Sequence, residues 1–361
     1  MNTHRPLLVT GATGLIGRRV VESLLRRTDA PIVVLVRDVA RWRSMAGAMG
    51  ARVTPVRGDI TRPALGMDVA AVRRHLHGCV TLVHCAGDIV FSRSLADARR
   101  VNVEGTRHVI ALAESLSIAR LVHVSTAFAV GRQTGLILET DDTAGAGWVN
   151  AYEQSKHEAE ELVRASGLSY VIARPSTVVC DDVGGGVTQV NAVHRALRLY
   201  HAGLASMMPG TEHTPVDVIP ADWAADAIAQ LALIANGAGR TVHLCAGDGA
   251  LPLGTLLDRT YSLWSRDAGW RRRGIARPAL SNLATYSLFE RSVELVGDAR
   301  LKRITRSLSH FVPQLALPKR FDTSSAHELL GTVAAPVHTY WDRMLERLLD
   351  SNWSATLPEA A

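Results

Sequence analysis

Two residues have the types and the spacing needed to transfer a proton beside a reacting carbonyl group. Tyr152 and Lys156 lie four positions apart in the segment 150–165, whose apolar spacing predicts a helix, so both side chains share one helix face. An ammonium group near a phenol favours the phenolate and lowers its pKa, and the tyrosine can then exchange a proton with a carbonyl or alcohol oxygen. Because this spacing is common by chance, its value depends on where it lies in the chain.

A hydroxyl group at the end of a predicted strand, 120–124, is the third catalytic candidate. We assign Thr126 by its spacing to Gly131 and to Tyr152, with Ser125 as the alternative. A hydroxyl at this point faces the ligand crevice of an α/β sheet and can donate a hydrogen bond to a developing oxyanion. The predicted catalytic residues are therefore Thr126, Tyr152 and Lys156.

A glycine-rich segment near the start of the chain has the pattern of a dinucleotide-binding turn. Gly11 permits a tight turn, Gly14 lets the backbone approach a pyrophosphate, and Gly17 lets the following helix pack closely on its strand. The helix N-terminus offers N–H groups and the positive end of its dipole to phosphates. The predicted cofactor contacts here are Gly11, Thr13, Gly14, Leu15, Ile16 and Gly17.

The residue after the second predicted strand, 32–36, bears on the choice of cofactor. An acidic residue at this point binds the ribose hydroxyls in NAD enzymes, but Arg37 stands here, and a guanidinium suits the 2′-phosphate of NADP. Arg18 is either a second clamp or an exposed helix residue. Asp38 would serve the NAD role if the strand ran one residue longer. We predict NADP(H), with NAD(H) as the alternative.

Two further strand ends are predicted to border the cofactor. A short polar turn follows the third strand and can meet the adenine edge, and small residues follow the fourth strand, where they let the backbone pass beneath the cofactor. Both positions are carboxyl ends of strands, where ligands bind in open α/β sheets. The residues concerned are Asp59 and Ile60 in the first turn, and Cys85, Ala86 and Gly87 in the second.

The elements that must position these residues alternate between strand and helix. Apolar patterns predict strands at 7–10, 32–36, 53–56, 80–84, 120–124 and 169–173, with helices at 15–27, 69–77, 97–116 and 150–165. Such alternation is typical of a parallel sheet covered by helices on both faces. We therefore predict an α/β fold: a Rossmann-type, doubly wound parallel sheet with a smaller C-terminal substrate-binding lobe.

The alternation weakens after residue 176. Helices are predicted at 190–200, 221–235, 254–265, 281–295 and 337–349, and strands at 216–219 and 241–244, with a loose tail after residue 350. We expect residues 1–180 to form the NADP-binding domain that carries the catalytic residues. Residues 181–361 are expected to form mainly the substrate-binding lobe, with some elements returning to the Rossmann core.

Composition and charge exclude several classes of protein. With 47% hydrophobic and 20% charged residues the chain has a globular composition, and it has neither an apolar run that could span a bilayer nor a signal peptide. It is therefore predicted to be cytoplasmic, with no integral membrane segment. The scattered cysteines and histidines predict no metal site. The net charge of +6 suits a phosphorylated cofactor or an acidic carrier protein, but no arginine stripe interleaved with aromatics indicates nucleic acid.

One lysine stands out against this composition. Of the 40 lysines and arginines, only Lys156, Lys302 and Lys319 are lysine. In a chain that so often uses arginine, a lysine at position 156 indicates a role that arginine cannot fill.

These motifs, in this order, resemble the extended short-chain dehydrogenase/reductase family, and more closely its fatty acyl-CoA reductase and thioester reductase branch. The resemblance covers roughly residues 7–250 and departs from the branch at Cys180, where glycine is usual. The stretches that carry it are 58–61 with 64–66, 84–87, 101–106, 123–127, 152–156 and 173–176.

The resemblance implies an NADPH-dependent reductase of an acyl thioester held on coenzyme A or on an acyl carrier protein. Thr126 and Tyr152 would bind the oxyanion, Tyr152 would supply the proton, and the product would be an aldehyde or, after a second reduction, an alcohol. It also implies cofactor contacts at Tyr152, Lys156, Pro175 and Ser176. The alternatives are another extended short-chain dehydrogenase or epimerase acting on a ketone, sterol or sugar nucleotide, and a non-catalytic NADP-sensing protein.

Overall fold

A computed structural model describes residues 5–47, 49, 52–140, 145–297 and 299–354. The strands are β1 (Leu7–Thr10), β2 (Ile32–Val36), β3 (Val53–Arg57), β4 (Thr81–His84), β5 (Arg120–Val124), β6 (Gly135–Ile137), β7 (Tyr170–Pro175), β8 (Thr177–Cys180), β9 (Met207–Pro209), β10 (Pro215–Val216), β11 (Val218–Pro220), β12 (Arg240–Leu244), β13 (Leu251–Pro252), β14 (Ala279–Ser281) and β15 (Lys319–Phe321). The helices are α1 (Leu15–Arg27), α2 (Val39–Ala46), α3 (Val69–Leu76), α4 (Leu95–Ser115), α5 (Ala151–Ala165), α6 (Ala192–His201), α7 (Ala221–Leu233), α8 (Leu253–Trp264), α9 (Ala268–Arg272), α10 (Leu283–Val296), α11 (Ala299–Leu308), α12 (Ser324–Leu330) and α13 (Trp341–Asp350).

A parallel sheet in the order β3-β2-β1-β4-β5-β7-β12 forms the centre of the described part of the molecule. Strand β1 pairs in parallel with β2 on one side and with β4 on the other, so the direction of winding reverses between β1 and β4. Ligands of open α/β sheets bind at this reversal, outside the carboxyl ends of the strands. The predicted doubly wound α/β fold is confirmed.

The sheet is buried on both faces because its strands are continuous apolar runs. On one face, Val20 and Leu24 of α1 pack with Ile228 and Leu231 of α7. On the other face, helices α3, α4 and α5 contribute a second apolar layer, formed by Leu76, Val109, Ala113 and Val163 among others. The sheet thus fixes the positions of the turns that follow β1, β2, β3, β4 and β5.

The C-terminal part divides between the sheet and a separate apolar core. Strand β12 extends the sheet beside β7, whereas helices α6, α8, α9 and α13 pack around a core of their own. The strand predicted at 216–219 is two short strands, β10 and β11, because each pairs with a different partner. The prediction of a loose tail after residue 350 is wrong for residues 351–354, since the Trp353 ring lies against His201 and Trp264. The rest of that prediction, for residues 355–361, lies outside the described residues.

Candidate active site

The turn between β1 and α1 is built by close backbone contacts at its glycines. Gly11 has a φ of +72°, and a Cβ there would lie 2.5 Å from the Ala86 nitrogen. A Cβ on Gly17 would overlap the Gly11 carbonyl, so both positions require glycine. Gly14, by contrast, is the exposed N-cap of α1. No side chain caps this helix and its first turn holds no acidic residue, so its N–H groups suit a phosphate ligand.

The end of β2 holds the residues that bear on cofactor choice. The strand ends at Val36, and the exposed Arg37 follows it directly. The Asp38 carboxylate caps helix α2 by accepting a hydrogen bond from the Arg41 backbone N–H at 3.0 Å. Arg18 is paired with Glu22 on its own helix at 3.0 Å. Arg37 is therefore better placed than Arg18 to meet an added anionic group.

The turn after β3 is held in an unusual backbone conformation. Ala64, Leu65 and Gly66 all have positive φ, and the Leu65 carbonyl accepts a hydrogen bond from the Asp59 N–H at 2.7 Å. Burial opposes ionisation of Asp59, but hydrogen bonds from Thr61 and the charges of Arg37 and Arg62 outweigh it, so the pKa of this carboxyl is lowered. Asp59 therefore lies beside Arg37 at the carboxyl edge of the sheet. Ile60 is buried behind it.

A chain of buried hydrogen bonds supports the turn that begins at Cys85. The Thr106 hydroxyl donates to the Asn102 carbonyl and accepts from His84 Nε2, and the Thr10 hydroxyl donates to His84 Nδ1 while accepting from the Ala86 N–H. Burial lowers the pKa of His84 to about 3, so this ring stays neutral. A neutral ring has one donor and one acceptor nitrogen, which fixes the direction of these hydrogen bonds. The turn that contains Ala86 is thereby fixed against Gly11.

Lys156 is anchored at the end of β5. Its side chain is buried, its Nζ donates to the Val124 carbonyl at 2.7 Å, and it lies 3.4 Å from His123 Nε2. Burial lowers the pKa of the Lys156 ammonium to about 8, although the negative charge of Glu160 opposes that change. An ammonium has three donors, so one remains for a ligand or for Tyr152 after these two contacts.

Thr126 and Ser125 point to different partners. The Thr126 hydroxyl lies near the Tyr152 phenol and acts to lower its pKa, whereas the Ser125 side chain lies near the buried Glu160 carboxylate. The structure thus places Thr126 near Tyr152, with Lys156 one turn farther along α5, and it places the alternative, Ser125, near Glu160 instead of Tyr152.

The expected lowering of the Tyr152 pKa is wrong for this structure. Burial raises the pKa of the phenol to about 12, and the nearby Thr126 hydroxyl only partly offsets that increase. Lys156 does not lower it, since its contacts run to β5 instead. Tyr152 therefore stays protonated at neutral pH, which is the state required of a proton donor.

An aromatic pair that the motifs did not reveal lies beside Tyr152. The Phe91 ring is 5.3 Å from the Tyr152 ring and is stacked on Phe311 at 6.4 Å, and we call Phe91 and Phe311 the apolar wall. Phe311 also lines a cavity of about 30 Å³ whose other lining residues are mainly apolar, including Met207 and Phe289. Since 220 positions separate the two phenylalanines, no local pattern could have paired them.

Pro175 and Ser176 lie at the end of β7, farther along the same edge of the sheet. The Ser176 N–H donates to the Leu244 carbonyl at 3.0 Å, and its side chain lies close to the buried Asp217 carboxylate. Asp217 accepts from the backbone N–H groups of Ala246 and Gly247. The Ser176 backbone N–H thus joins the end of β7 to the end of β12.

Among the residues that the structure describes, every helix is too short or too polar to cross a bilayer.

The chain matches, over residues 9–228, an NAD-binding family model described as "Male sterility protein".

Curated relatives include the fatty acyl-CoA reductase wat of Drosophila melanogaster, which is 24% identical and matches 62% of this chain and 53% of its own length. The isonitrile lipopeptide synthase of Streptomyces coeruleorubidus is 28% identical and matches 59% of this chain but only 16% of its own length. The chain thus spans about half or less of the length of these relatives.

Among solved structures, the terminal R domain from the myxalamid PKS-NRPS biosynthetic pathway superimposes with a TM-score of 0.79. It is 25% identical, and the alignment covers 98% of this chain and 92% of that domain. The family model covers more than half of the 361 residues. The chain therefore belongs to the male sterility protein family, within the fatty acyl-CoA reductase and thioester reductase branch of the extended short-chain dehydrogenases/reductases that its motifs predicted.

Proposed function

We propose that this protein is an NADPH-dependent reductase of acyl thioesters. The observation that carries the proposal is the group formed by Thr126, Tyr152 and Lys156 at the carboxyl edge of the sheet. It lies in a chain whose fold follows an R domain of a PKS-NRPS pathway over nearly its whole length. The names of its relatives, a fatty acyl-CoA reductase and a lipopeptide synthase, support the same substrate class.

The residues present fit a dinucleotide cofactor. Glycine is required at Gly11 and Gly17, while the exposed Gly14 and the uncapped start of α1 leave room and N–H donors for a pyrophosphate. Arg37 would meet the 2′-phosphate, because its exposed guanidinium follows the end of β2 directly. The bound reduced nicotinamide would supply hydride to the thioester carbonyl. These contacts support NADP(H) over NAD(H).

The catalytic residues would act on the carbonyl oxygen. The Thr126 and Tyr152 hydroxyls would donate hydrogen bonds to the oxyanion as charge develops there. Tyr152, protonated at neutral pH, would then give its proton to that oxygen and yield a hemithioacetal. Loss of the thiol from the hemithioacetal leaves the aldehyde, and a second round of reduction gives the alcohol. Lys156, fixed by Val124, would orient the nicotinamide ribose.

The acyl group would lie against the apolar wall, since Phe91 contacts Tyr152 and Phe311, which is stacked on Phe91, also lines an apolar cavity. We assign residues 1–180 to cofactor binding and catalysis, and residues 181–361 mainly to the substrate lobe. Coenzyme A and an acyl carrier protein are both suitable carriers, because each presents the thioester on a phosphopantetheine arm.

The test is oxidation of NADPH against acyl-CoA thioesters of increasing chain length, with aldehyde and alcohol identified by mass spectrometry. Replacing Tyr152 by Phe removes the proton donor and should lower kcat at least a hundredfold while NADPH binding is kept. Tyr261→Phe, which removes the hydroxyl of a remote and partly exposed tyrosine, should be fully active.

Turnover by Tyr152→Phe at the wild-type rate would overturn the assignment of the proton donor. Absence of wild-type turnover on acyl-CoA and on acylated carrier protein alike would overturn the proposed function. Activity on a ketone or a sugar nucleotide would then place the chain with other extended short-chain dehydrogenases. Cofactor binding without any turnover would favour a sensor.

A further inference from the structure

Three buried polar side chains connect the C-terminal part of the chain to the first turn of helix α5. Lys319 Nζ donates a hydrogen bond to Gln314 Oε1 at 2.8 Å, and Gln314 Nε2 donates to Glu153 Oε1 at 2.6 Å. Lys319, Gln314 and Glu153 are 4%, 8% and 2% exposed. Glu153 directly follows Tyr152 in the chain, so the connection ends beside the proposed proton donor.

The connection reaches the N-terminus of α5 through a reciprocal pair of caps. Asn150 Oδ1 accepts from the Glu153 N–H at 3.0 Å, and Glu153 Oε2 accepts from the Val149 N–H at 3.0 Å. This arrangement satisfies N–H groups that a helix start otherwise leaves unpaired. The Glu153 carboxylate thus serves two structures at once, the helix cap and the contact to Gln314.

The segment 310–321 crosses the start of α5 and makes further contacts there. The His310 carbonyl accepts from Asn150 Nδ2 at 3.0 Å, and Phe311 belongs to the apolar wall beside Tyr152. Strand β15, which begins at Lys319, pairs with β6 and fixes the far end of the segment. The same short segment therefore holds one side of the substrate region and touches the cap of the catalytic helix.

Lys319 is a costly residue to bury. Burial lowers the pKa of its ammonium to about 8, and the Glu153 charge only partly opposes that change. A buried ionic group contributes little net stability to a fold. In some proteins it contributes conformational specificity instead, because its partners must be held in one geometry. Only three lysines occur in this chain, and two of them, Lys156 and Lys319, are buried within or next to the candidate site.

We propose that Lys319 and Gln314 are positioning residues for thioester reduction: through Glu153 they fix the first turn of α5, and with it Tyr152, against the apolar wall. The proposal rests on the function proposed above. Neither side chain touches the reacting atoms. Their effect is on the geometry between the proton donor and the acyl group, to which catalytic rates are sensitive.

The experiment compares Lys319→Met with Arg320→Met. Arg320 is the next residue on β15, but its side chain is exposed and pairs with the exposed Asp248, so it is a matched cation outside the connection. We expect Lys319→Met to lower kcat at least tenfold with the Kd of NADPH changed less than twofold. Arg320→Met should keep the wild-type kcat. In hydrogen exchange by mass spectrometry, the peptide 149–156 should exchange faster in Lys319→Met alone.

Each arm can overturn the proposal. Unchanged exchange at 149–156, unchanged kcat, or an equal loss of kcat in Arg320→Met would each refute it. If the wild-type protein reduces no thioester, the proposed function fails, and the exchange experiment still decides whether Lys319 fixes the start of α5.

A second variant covers the case in which Lys319→Met does not fold, which a thermal melt will show. Gln314→Met keeps the side-chain volume but removes the amide between Lys319 and Glu153, and it should reproduce both effects. Glu153→Gln combined with either variant should lower kcat by less than the product of the single effects, because all three act through one connection. A multiplicative loss would contradict a shared role.

Discussion

At the scale of single residues, the candidate site is organised by what burial does to each ionisable group. Burial keeps Tyr152 protonated and brings the pKa of Lys156 down to about 8. A neutral phenol can donate a hydrogen bond to a carbonyl oxygen before reaction and a proton to the oxyanion afterwards. A protonated Tyr152 therefore suits reduction, in which the carbonyl oxygen gains a proton, better than a pre-formed phenolate would.

Arg37 allows the cofactor preference to be tested by one substitution. Arg37→Gln removes the guanidinium that follows β2, and loss of a charge-assisted hydrogen bond of about 1.5–3 kcal/mol should weaken NADPH binding roughly 10- to 100-fold. NADH, which lacks the 2′-phosphate, should bind with an affinity changed by less than about threefold. Isothermal titration calorimetry with both cofactors measures the two effects.

Arg18→Gln is the control for this substitution, because Arg18 is already paired with Glu22. It should weaken NADPH binding much less than Arg37→Gln does. An unchanged ratio of NADPH to NADH affinity in Arg37→Gln would show that the 2′-phosphate is recognised elsewhere or is not selected.

Several site residues could be predicted because their types are dictated by backbone geometry or by chemistry. Gly11 and Gly17 leave no room for a Cβ, and Tyr152 with Lys156 shares a helix face. Phe311 and Lys319 could not be placed in the same way, since their partners Phe91 and Gln314 are set by tertiary packing. The rarity of lysine in the sequence marks Lys319 as well as Lys156, but no motif around Lys319 indicates its partner.

At the scale of elements, helix α5 is fixed to the sheet by a buried ion pair. Arg174 of β7 donates to both oxygens of Glu160, at 2.9 and 2.7 Å, and Arg164 donates to one of them at 2.8 Å. Burial alone would favour the neutral acid, but the two arginines lower the pKa of Glu160 to about 2. The helix that carries Tyr152 and Lys156 is thereby held in one register on β7.

Replacement of Glu160 by Gln should destabilise the protein by roughly 3–5 kcal/mol at pH 7, since it leaves Arg174 buried without its counter-charge. Because the folded pKa lies below the ordinary value of 4.5, the stability from ionised Glu160 is full above about pH 4.5 and is lost as the pH falls towards 2. The difference between variant and wild type should therefore shrink between pH 5 and pH 2.5. Urea unfolding at both pH values measures it.

Glu158→Gln on the same helix is the matched control. Glu158 pairs with Arg99 near the surface, and such pairs contribute at most about 1 kcal/mol. A penalty for Glu160→Gln that is the same at both pH values would mean that ionisation of Glu160 is not what stabilises the contact between α5 and β7.

The long elements were predictable and the shortest were not, for a physical reason. Strands β1, β2 and β5 have the predicted bounds because each is a continuous buried apolar run. Strands β6 and β15 are three residues each and exist because they pair across more than 180 positions. A three-residue strand has too little local pattern to be distinguished from a loop.

At the scale of the whole molecule, the turn that follows α13 packs Trp353 against the C-terminal apolar core. The Trp353 ring is 9% exposed and lies 5.5 Å from the His201 ring and 6.0 Å from the Trp264 ring. Its backbone N–H donates to the Leu348 carbonyl at 2.7 Å, which turns the chain back over α13. This core is distinct from the apolar layers on the two faces of the sheet.

Trp353→Ala should therefore destabilise the protein by about 3–5 kcal/mol, the usual cost of truncating a buried tryptophan, and should lower the urea midpoint. Glu346→Ala, an exposed position on α13, should change stability by less than about 0.5 kcal/mol. Since the cofactor turns belong to the sheet, the Kd of NADPH measured well below the unfolding midpoint should stay within twofold of wild type. A large loss of NADPH affinity in folded Trp353→Ala would show that the two cores are coupled, and that the C-terminal core helps to set the cofactor site as well as the substrate side.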